Sequence, residues 1–226
     1  MKQYTVSEVA ATIDHAVLKP TQTGQDVIRS AQMCIRRGVR CLCVRPCDVA
    51  LAAQQLQGAG VAVSAVVGFP HGGNRIETKA FEAGLAIQDG ARELDMVMNL
   101  GQFLAGNFEY VQRDIEAVVA EARKSKALVK VILETCYLSN EEIAGACKVA
   151  EAAGADFVKT STGFGDGSAT PEAVDIMIQT VGKTMGVKAS GGIRNWDTAV
   201  RYLNQGCTRL GMAATEAVLD GARGRT

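Results

Sequence analysis

Eight short runs rich in β-branched and apolar residues alternate with eight longer segments of helical period, from one end of the chain to the other. This beat constrains the fold more than any other feature. The strand candidates are 12–17 (TIDHAV), 39–44 (VRCLCV), 61–67 (VAVSAVV), 92–98 (RELDMVM), 128–133 (LVKVIL), 155–159 (ADFVK), 186–190 (GVKAS) and 207–211 (CTRLG). Helix candidates fall near 24–37, 47–58, 74–88, 108–125, 140–153, 171–184, 195–205 and 213–220. Start and stop signals agree: Ser139 and Glu142 form a capping-box pair, Pro171 sits in a first turn, and Gly38, Gly60, Gly90, Gly154 and Gly206 follow helices. Strict βα alternation demands a parallel sheet, and eight units are the number that closes a barrel. The expected fold is therefore α/β, a single eight-stranded parallel (β/α)8 TIM barrel. It fills residues 1–226 as one domain, with 1–10 a short N-terminal lead-in. The competitor is an open doubly wound sheet, which would show fewer strands and a glycine fingerprint after the first. Here that position reads LKPTQTG, which is no such fingerprint.

The charge balance narrows the partners. Among 226 residues there are 24 basic and 24 acidic side chains, so no broad electrostatic footprint for nucleic acid or an anionic membrane is expected. The start, MKQYTVSEVAATIDH, has no apolar run resembling a signal peptide, and no stretch of about 18 uninterrupted apolar residues occurs. Seven cysteines are an odd number in a chain too large to need disulfide staples. Reduced thiols in a cytoplasmic protein are the expectation.

In a barrel of this kind the chemistry sits at the C-terminal ends of the strands. Strand four, ELDMVMN, puts Glu93, Asp95, Val97 and Asn99 on one face, and Leu94, Met96 and Met98 on the other. The apolar face suits a layer of helices, so the first face points inward and carries a carboxylate with it. Strand six ends on Lys159 and strand seven carries Lys188. Adjacent strands lie about 4.8 Å apart, which brings the two ammonium groups together. A lysine attacks a carbonyl only as the free amine, and near its ordinary pKa of about 10.4 that form is scarce at neutral pH. A neighbouring cation and partial desolvation favour the neutral form, and an inward carboxylate can move protons as a carbinolamine forms and collapses. The set suits Schiff-base chemistry. The competing reading is a buried ionic network in which both lysines simply pair with acids such as Asp95.

The loop SGGIRN (190–195) leads straight into a helix, a place where glycines let backbone N–H groups turn toward an anion and Arg194 adds charge. Loops after strands seven and eight are the usual phosphate site of such barrels. No metal is expected. The histidines are His15 and His71, and Cys41 and Cys43 lack the spacing and the second pair that zinc requires, so they read as core. His71, in GFPHGG, either lines the barrel mouth or packs its loop, and Trp196 reads as a packing residue.

These pieces resemble a known family. IDHAVLKP (13–20), LCVRP (42–46), VVGFPHGGNRIETKAFEA (66–83), ELDMVMNLG (93–101), DFVKTSTGF (156–164), VKASGGIR (187–194) and the RLG of strand eight match deoxyribose-phosphate aldolases, from about residue 10 to the last helix. The resemblance implies a class I aldolase on an eight-stranded barrel, using neither metal nor cofactor. Its reaction is reversible cleavage of 2-deoxy-D-ribose 5-phosphate to D-glyceraldehyde 3-phosphate and acetaldehyde. It implies small-molecule sugar phosphate and aldehyde substrates, a cytoplasmic setting, and compatibility with a homo-oligomer, dimer or tetramer. By motif, Lys159 becomes the Schiff-base lysine, Lys188 the lysine that perturbs it, Asp95 the proton-transfer carboxylate and Asp14 part of their polar network. Gly163, Gly191, Gly192, Ile193, Arg194 and Gly211 become the phosphate pocket. One departure stands out: after strand eight this chain reads GMAAT, so Ala213 and Ala214 replace hydroxyl donors that the family usually carries. Thr215 is the one hydroxyl left to substitute in part, and Arg45 would compensate if it faced the site. Two rival readings follow: an aldolase for non-phosphorylated or different aldehydes, and a non-catalytic sugar-phosphate-binding barrel.

Overall fold

The structure is a computed structural model, described for residues 2–222. Its eight strands are β1 Ile13–Val17, β2 Cys41–Val44, β3 Ala62–Val67, β4 Glu93–Val97, β5 Leu128–Ile132, β6 Phe157–Lys159, β7 Gly186–Ser190 and β8 Arg209–Met212. All pair in parallel with their sequence neighbours, and β8 closes on β1, with Ile13 opposite Leu210 and His15 opposite Met212. The closed (β/α)8 barrel is the architecture expected from the alternation.

Ten α-helices surround it among the described residues: α1 Val6–Ala10, α2 Gly24–Arg37, α3 Val49–Gln55, α4 Ile76–Gln88, α5 Leu100–Leu104, α6 Phe108–Arg123, α7 Asn140–Ala152, α8 Pro171–Val181, α9 Trp196–Gln205 and α10 Thr215–Asp220. Ser139 and Glu142 cap α7 reciprocally, and Pro171 occupies the first turn of α8 behind the cap Thr170. Gly38 and Gly206 end α2 and α9 in the left-handed region that glycine enters without a Cβ clash.

Some boundaries differ from expectation. The helix expected at 47–58 is a 3-10 turn, Pro46–Asp48, followed by only seven residues of α-helix, because Pro46 fixes the chain in a tight first turn. The segment expected as a lead-in contains α1, started by a capping box between Thr5 and Glu8. Helix α5 was not expected; Asn99 starts it by accepting from the Gln102 N–H. Strand β6 is three residues long, since Asp156 turns away to accept from the Val129 N–H at 2.8 Å.

Alternation along the strands separates two interiors. Leu42, Val44, Leu94, Met96, Val131 and Val158 join the apolar layer between sheet and helices. The opposite faces point into the barrel and carry Asp14, Glu93, Asp95, Lys130, Lys159 and Lys188, all buried. Burying this much charge is tolerated only where every group is paired.

A second buried ion pair lies outside the barrel. Lys79 of α4 donates to Asp114 of α6 at 2.5 Å and to the Val97 carbonyl, the last of β4, at 2.9 Å. Neither side chain has any exposed surface. Burial pushes Lys79 down and Asp114 up, both toward the neutral form, and the partner opposes the shift in each. Gly68, at φ +62°, makes room: a Cβ there would sit 2.8 Å from Lys79 Cε. The pair fixes the end of β4, two residues beyond Asp95. Lys79→Ala is expected to lower unfolding free energy by about 3–5 kcal/mol, because it strands Asp114 in an apolar layer. Replacing both, as Lys79→Met with Asp114→Leu, should recover most of that loss in chemical denaturation. A single variant as stable as the parent would show that the pair does not hold the helices.

Candidate active site

Asp95 sits at the centre of the barrel with no exposed surface and accepts four hydrogen bonds. Its Oδ1 receives Lys130 Nζ at 2.7 Å and Ser64 Oγ at 2.9 Å. Its Oδ2 receives Lys159 Nζ and Lys188 Nζ, each at 2.8 Å. A buried carboxylate would ordinarily stay protonated. Burial does push Asp95 up, but Lys130, Lys159 and Lys188 outweigh it and hold the carboxyl well below its usual range. With all three ammonium groups in place, Asp95 rests as an anion.

The two lysines expected at one place are brought there by strand register. Lys159 of β6 lies directly opposite Lys188 of β7. Thr160 locks that register: its hydroxyl donates to the Ser190 carbonyl at 3.1 Å and accepts from the Ser190 N–H at 3.0 Å. Lys188 also donates to Asp14 Oδ2. Burial alone would push Lys188 down, yet Asp14 and Asp95 outweigh it and hold the ammonium above the ordinary lysine range. Asp14, also fully buried, is pulled down to about 2 despite burial, by Lys188, Lys130 and Arg209.

Two cationic members of this network, Lys130 and Arg209, carried no role in the sequence analysis, nor did Ser64. Lys130, opposite Asp95 on β5, bridges Glu93 at 2.6 Å, Asp95 at 2.7 Å and Asp14 at 3.4 Å. Arg209 of β8 forks onto Glu93 at 2.7 and 3.0 Å and reaches Asp14 at 2.5 Å. Alternation within LVKVI signalled Lys130, because Val129 and Val131 claim the helix-facing side. Among the described residues, four cationic side chains (Lys130, Lys159, Lys188, Arg209) thus meet three carboxylates (Asp14, Glu93, Asp95). Their shares differ. Lys130 has three carboxylate partners and Lys188 two, whereas Lys159 has one, Asp95.

Above this layer a cleft of about 460 Å³ opens at the C-terminal ends of the strands. Lys159, Lys188 and Asp14 form its floor. Gly163, Gly191, Gly192, Ile193, Arg194 and Gly211, the whole set expected for phosphate, line it as well. Gly211 has to be glycine: a Cβ would meet Ser190 Oγ at 2.6 Å and Lys188 Cε at 3.0 Å. Glu134, a further residue that sequence reasoning passed over, adopts a left-handed φ of 54° just past β5. Its carboxylate accepts from the Thr162 N–H at 3.1 Å and from the Thr162 hydroxyl, so it ties down the loop that follows Lys159.

The departure after β8 is where the geometry differs from expectation. Ala213 and Ala214 do line the cleft. Thr215 does not substitute for them: its hydroxyl is buried 2.8 Å from His15 Nδ1, facing α2, where Ser30 contacts the other ring nitrogen at 3.2 Å. Burial pushes His15 down to about 4, so the ring is neutral between two hydroxyls. Arg45 does not face the cleft either; Asp48 and the carbonyls of the loop after β1 take its guanidinium. His71 lines a smaller neighbouring pocket of about 170 Å³ with Glu134 and Phe164. Trp196 is buried at the start of α9. Cys41 and Cys43 are buried inside the barrel, and burial pushes both thiols up. Asp14, Cys41 and Glu93 place possible ligand atoms within 4.8 Å of one another, but Lys130 and Arg209 already occupy both carboxylates. That donor set suits an ionic core better than a cation.

Comparison with known proteins agrees with this geometry. Residues 8–213 match the family model described as DeoC/LacD family aldolase. A deoxyribose-phosphate aldolase of Thermococcus gammatolerans is 48% identical over 218 residues, covering 96% of this chain and 97% of that protein. One from Clostridium perfringens is 47% identical over 214 residues, covering 95% of each. A solved deoxyribose phosphate aldolase from Aeropyrum pernix, described as a unique tetramer, superimposes with a TM-score of 0.91 at 31% identity, over 98% of this chain and 94% of that one. With these likenesses covering nearly its whole length, the chain belongs to the DeoC/LacD aldolase family.

Proposed function

We propose that this protein is a class I aldolase that reversibly cleaves 2-deoxy-D-ribose 5-phosphate into D-glyceraldehyde 3-phosphate and acetaldehyde, with Lys159 as its Schiff-base lysine. The observation that carries this reading is the pair of in-register lysines sharing one oxygen of a buried, ionised carboxylate on the floor of an open cleft.

The roles follow from the partners. Lys159 is the lysine of the three with a single carboxylate partner, and it lines the cleft. One proton fewer brings the cluster to balance, three cations against three carboxylates. The neutral amine adds to the C1 aldehyde of the sugar, and loss of water leaves the iminium. The C2–C3 bond then breaks as Asp95 accepts the C3 hydroxyl proton; the bonding pair becomes the C1=C2 double bond, the C=N pair returns to nitrogen, and D-glyceraldehyde 3-phosphate leaves an enamine behind. Reprotonation at C2 and hydrolysis release acetaldehyde and the lysine. The iminium keeps one N–H where the ammonium of Lys159 had three, and Asp95, beside it, takes and returns the protons of the reaction. Lys188 keeps its proton throughout, a fixed cation next to the oxygen that leaves.

The ionic network considered as a rival is present, but as the resting state of this site. A purely structural network leaves unexplained why its least-partnered lysine faces a cleft. Arg194 and the glycines of the loops after β6 and β7 supply the phosphate end, which favours the phosphorylated substrate over the non-phosphorylated alternative. We read residues 1–226 as one domain, working in the cytoplasm as a dimer or tetramer without a resident metal or cofactor. No described helix is long and apolar enough to cross a membrane. The tetramer recorded for the Aeropyrum pernix relative supports an oligomer.

Borohydride reduction in the presence of acetaldehyde should leave an ethyl group on Lys159, located by peptide mapping. Lys159→Arg should give no adduct there and no turnover, since guanidinium stays protonated. An adduct on Lys188 instead would overturn the assignment, and no adduct at all would favour the non-catalytic barrel. The network also sets the acid limit. Asp14 titrates lower folded than unfolded, so its contribution is complete above about pH 4, the ordinary carboxylate range, and is lost as pH falls toward about 2. Unfolding free energy measured at pH 6 and pH 3 should therefore differ more in the parent than in Asp14→Asn; an equal difference would contradict the assigned pairing.

A further inference from the structure

The loop between β1 and α2 is held from the neighbouring strand by a single arginine. Arg45, at the end of β2, donates through Nη1 to the carbonyls of Lys19 and Pro20 at 3.3 and 3.4 Å, and through Nη2 to that of Gln22 at 2.9 Å. Its Nε donates to Asp48 at 2.7 Å, which orients the guanidinium and neutralises it. Gln22 closes the loop on itself by accepting from the Lys19 N–H at 2.8 Å. Lys19 and Gln22 both line the cleft. The strand order matters here. β8 lies between β1 and β7, so the Ala213–Ala214 edge is flanked by the loop carrying Lys19 on one side and the loop carrying Arg194 on the other. Among the described residues, neither Lys19 nor Arg194 has a carboxylate partner, whereas Arg45 is fully engaged.

An anion lying against the two alanines would find no hydroxyl from those two positions but a cation without a carboxylate partner on each side. We propose that Lys19 is a specificity-determining residue that binds the substrate's phosphate together with Arg194, in place of the hydroxyls Ala213 and Ala214 lack. Arg45 is its positioning residue, fixing the backbone from which Lys19 reaches in. This deepens the proposed aldolase reading and rests on it for the identity of the substrate. A charge-assisted contact to phosphate accounts for roughly a tenfold or larger factor in affinity. Arg45 acts through Lys19, so the two effects should not add.

The test has two arms. Inorganic phosphate is titrated calorimetrically into the parent, Lys19→Ala, Lys19→Arg, Arg45→Ala and the Lys19→Ala/Arg45→Ala double variant. The specificity constants for deoxyribose 5-phosphate and unphosphorylated deoxyribose are measured on the same proteins. Lys19→Ala should weaken phosphate binding about 10-fold or more, and lower the ratio of the two constants by a like factor, while the unphosphorylated sugar is handled as before. Lys19→Arg should retain most of the affinity. Arg45→Ala should shift both readouts the same way by less, and the double variant should match Lys19→Ala. The proposal is overturned if Lys19→Ala leaves phosphate affinity unchanged, if it lowers turnover of both sugars alike, or if the parent binds no phosphate. Failure of the aldolase reading appears separately, as absence of turnover in the parent, and the phosphate titration still decides the role of Lys19.

Discussion

Everything inside this barrel is arranged around one carboxylate that would not stay ionised alone. Asp95 is fully buried, and a charge in such a place persists only with partners on every lone pair. Its four donors come from β3, β5, β6 and β7. Through Lys130 and Lys188 the network continues to Asp14 on β1 and Glu93 on β4, and Arg209 joins it from β8. Seven strands thus contribute a polar or charged group to one cluster, leaving β2 to supply buried thiols. A cluster of this kind favours a single strand register, because a one-residue slip would turn a charge into the apolar layer.

In the proposed function the same cluster is the reactive site, and its charge balance is compatible with both demands. Three carboxylates hold Lys130, Lys188 and Arg209 as permanent cations. Lys159 is the fourth, bonded to the one acid that also serves two other lysines. Lys130, Glu93 and Arg209 lie beneath the cleft, while Asp14, Lys159 and Lys188 line it, and the proposal places the chemistry on the least-partnered of these three. Glu134 extends this outward: a left-handed backbone at a non-glycine residue is a strained conformation, retained here where it clamps the loop after Lys159.

Much of this was legible in the residues. The alternation that placed Leu94 and Met96 outward necessarily turned Asp95 inward, and adjacency of strands six and seven brought Lys159 to Lys188. Lys130 obeyed the same rule but was not singled out, because a lysine between valines reads as an edge rather than a core. Thr215 and Arg45 were open for a different reason. Both lie at the ends of elements, where side-chain direction is set by neighbours distant in sequence: His15, 200 residues away, captures Thr215, and the loop after β1 captures Arg45. The short helix α1 carried its own signal, a Thr-x-x-Glu pair, whereas the helix expected at 47–58 is shorter because Pro46 opens it as a 3-10 turn and its α-helical part ends at Gln55.

The central claim is that Asp95, held ionised among three lysines, moves the proton at the carbon next to the imine. Exchange of the methyl hydrogens of acetaldehyde in deuterium oxide, followed by proton NMR without any second aldehyde, isolates that step. The parent should catalyse exchange, and Asp95→Asn should slow it by a factor on the order of 100 or more, the usual contribution of a positioned acid–base group. Exchange by Asp95→Asn at the parental rate would contradict the account.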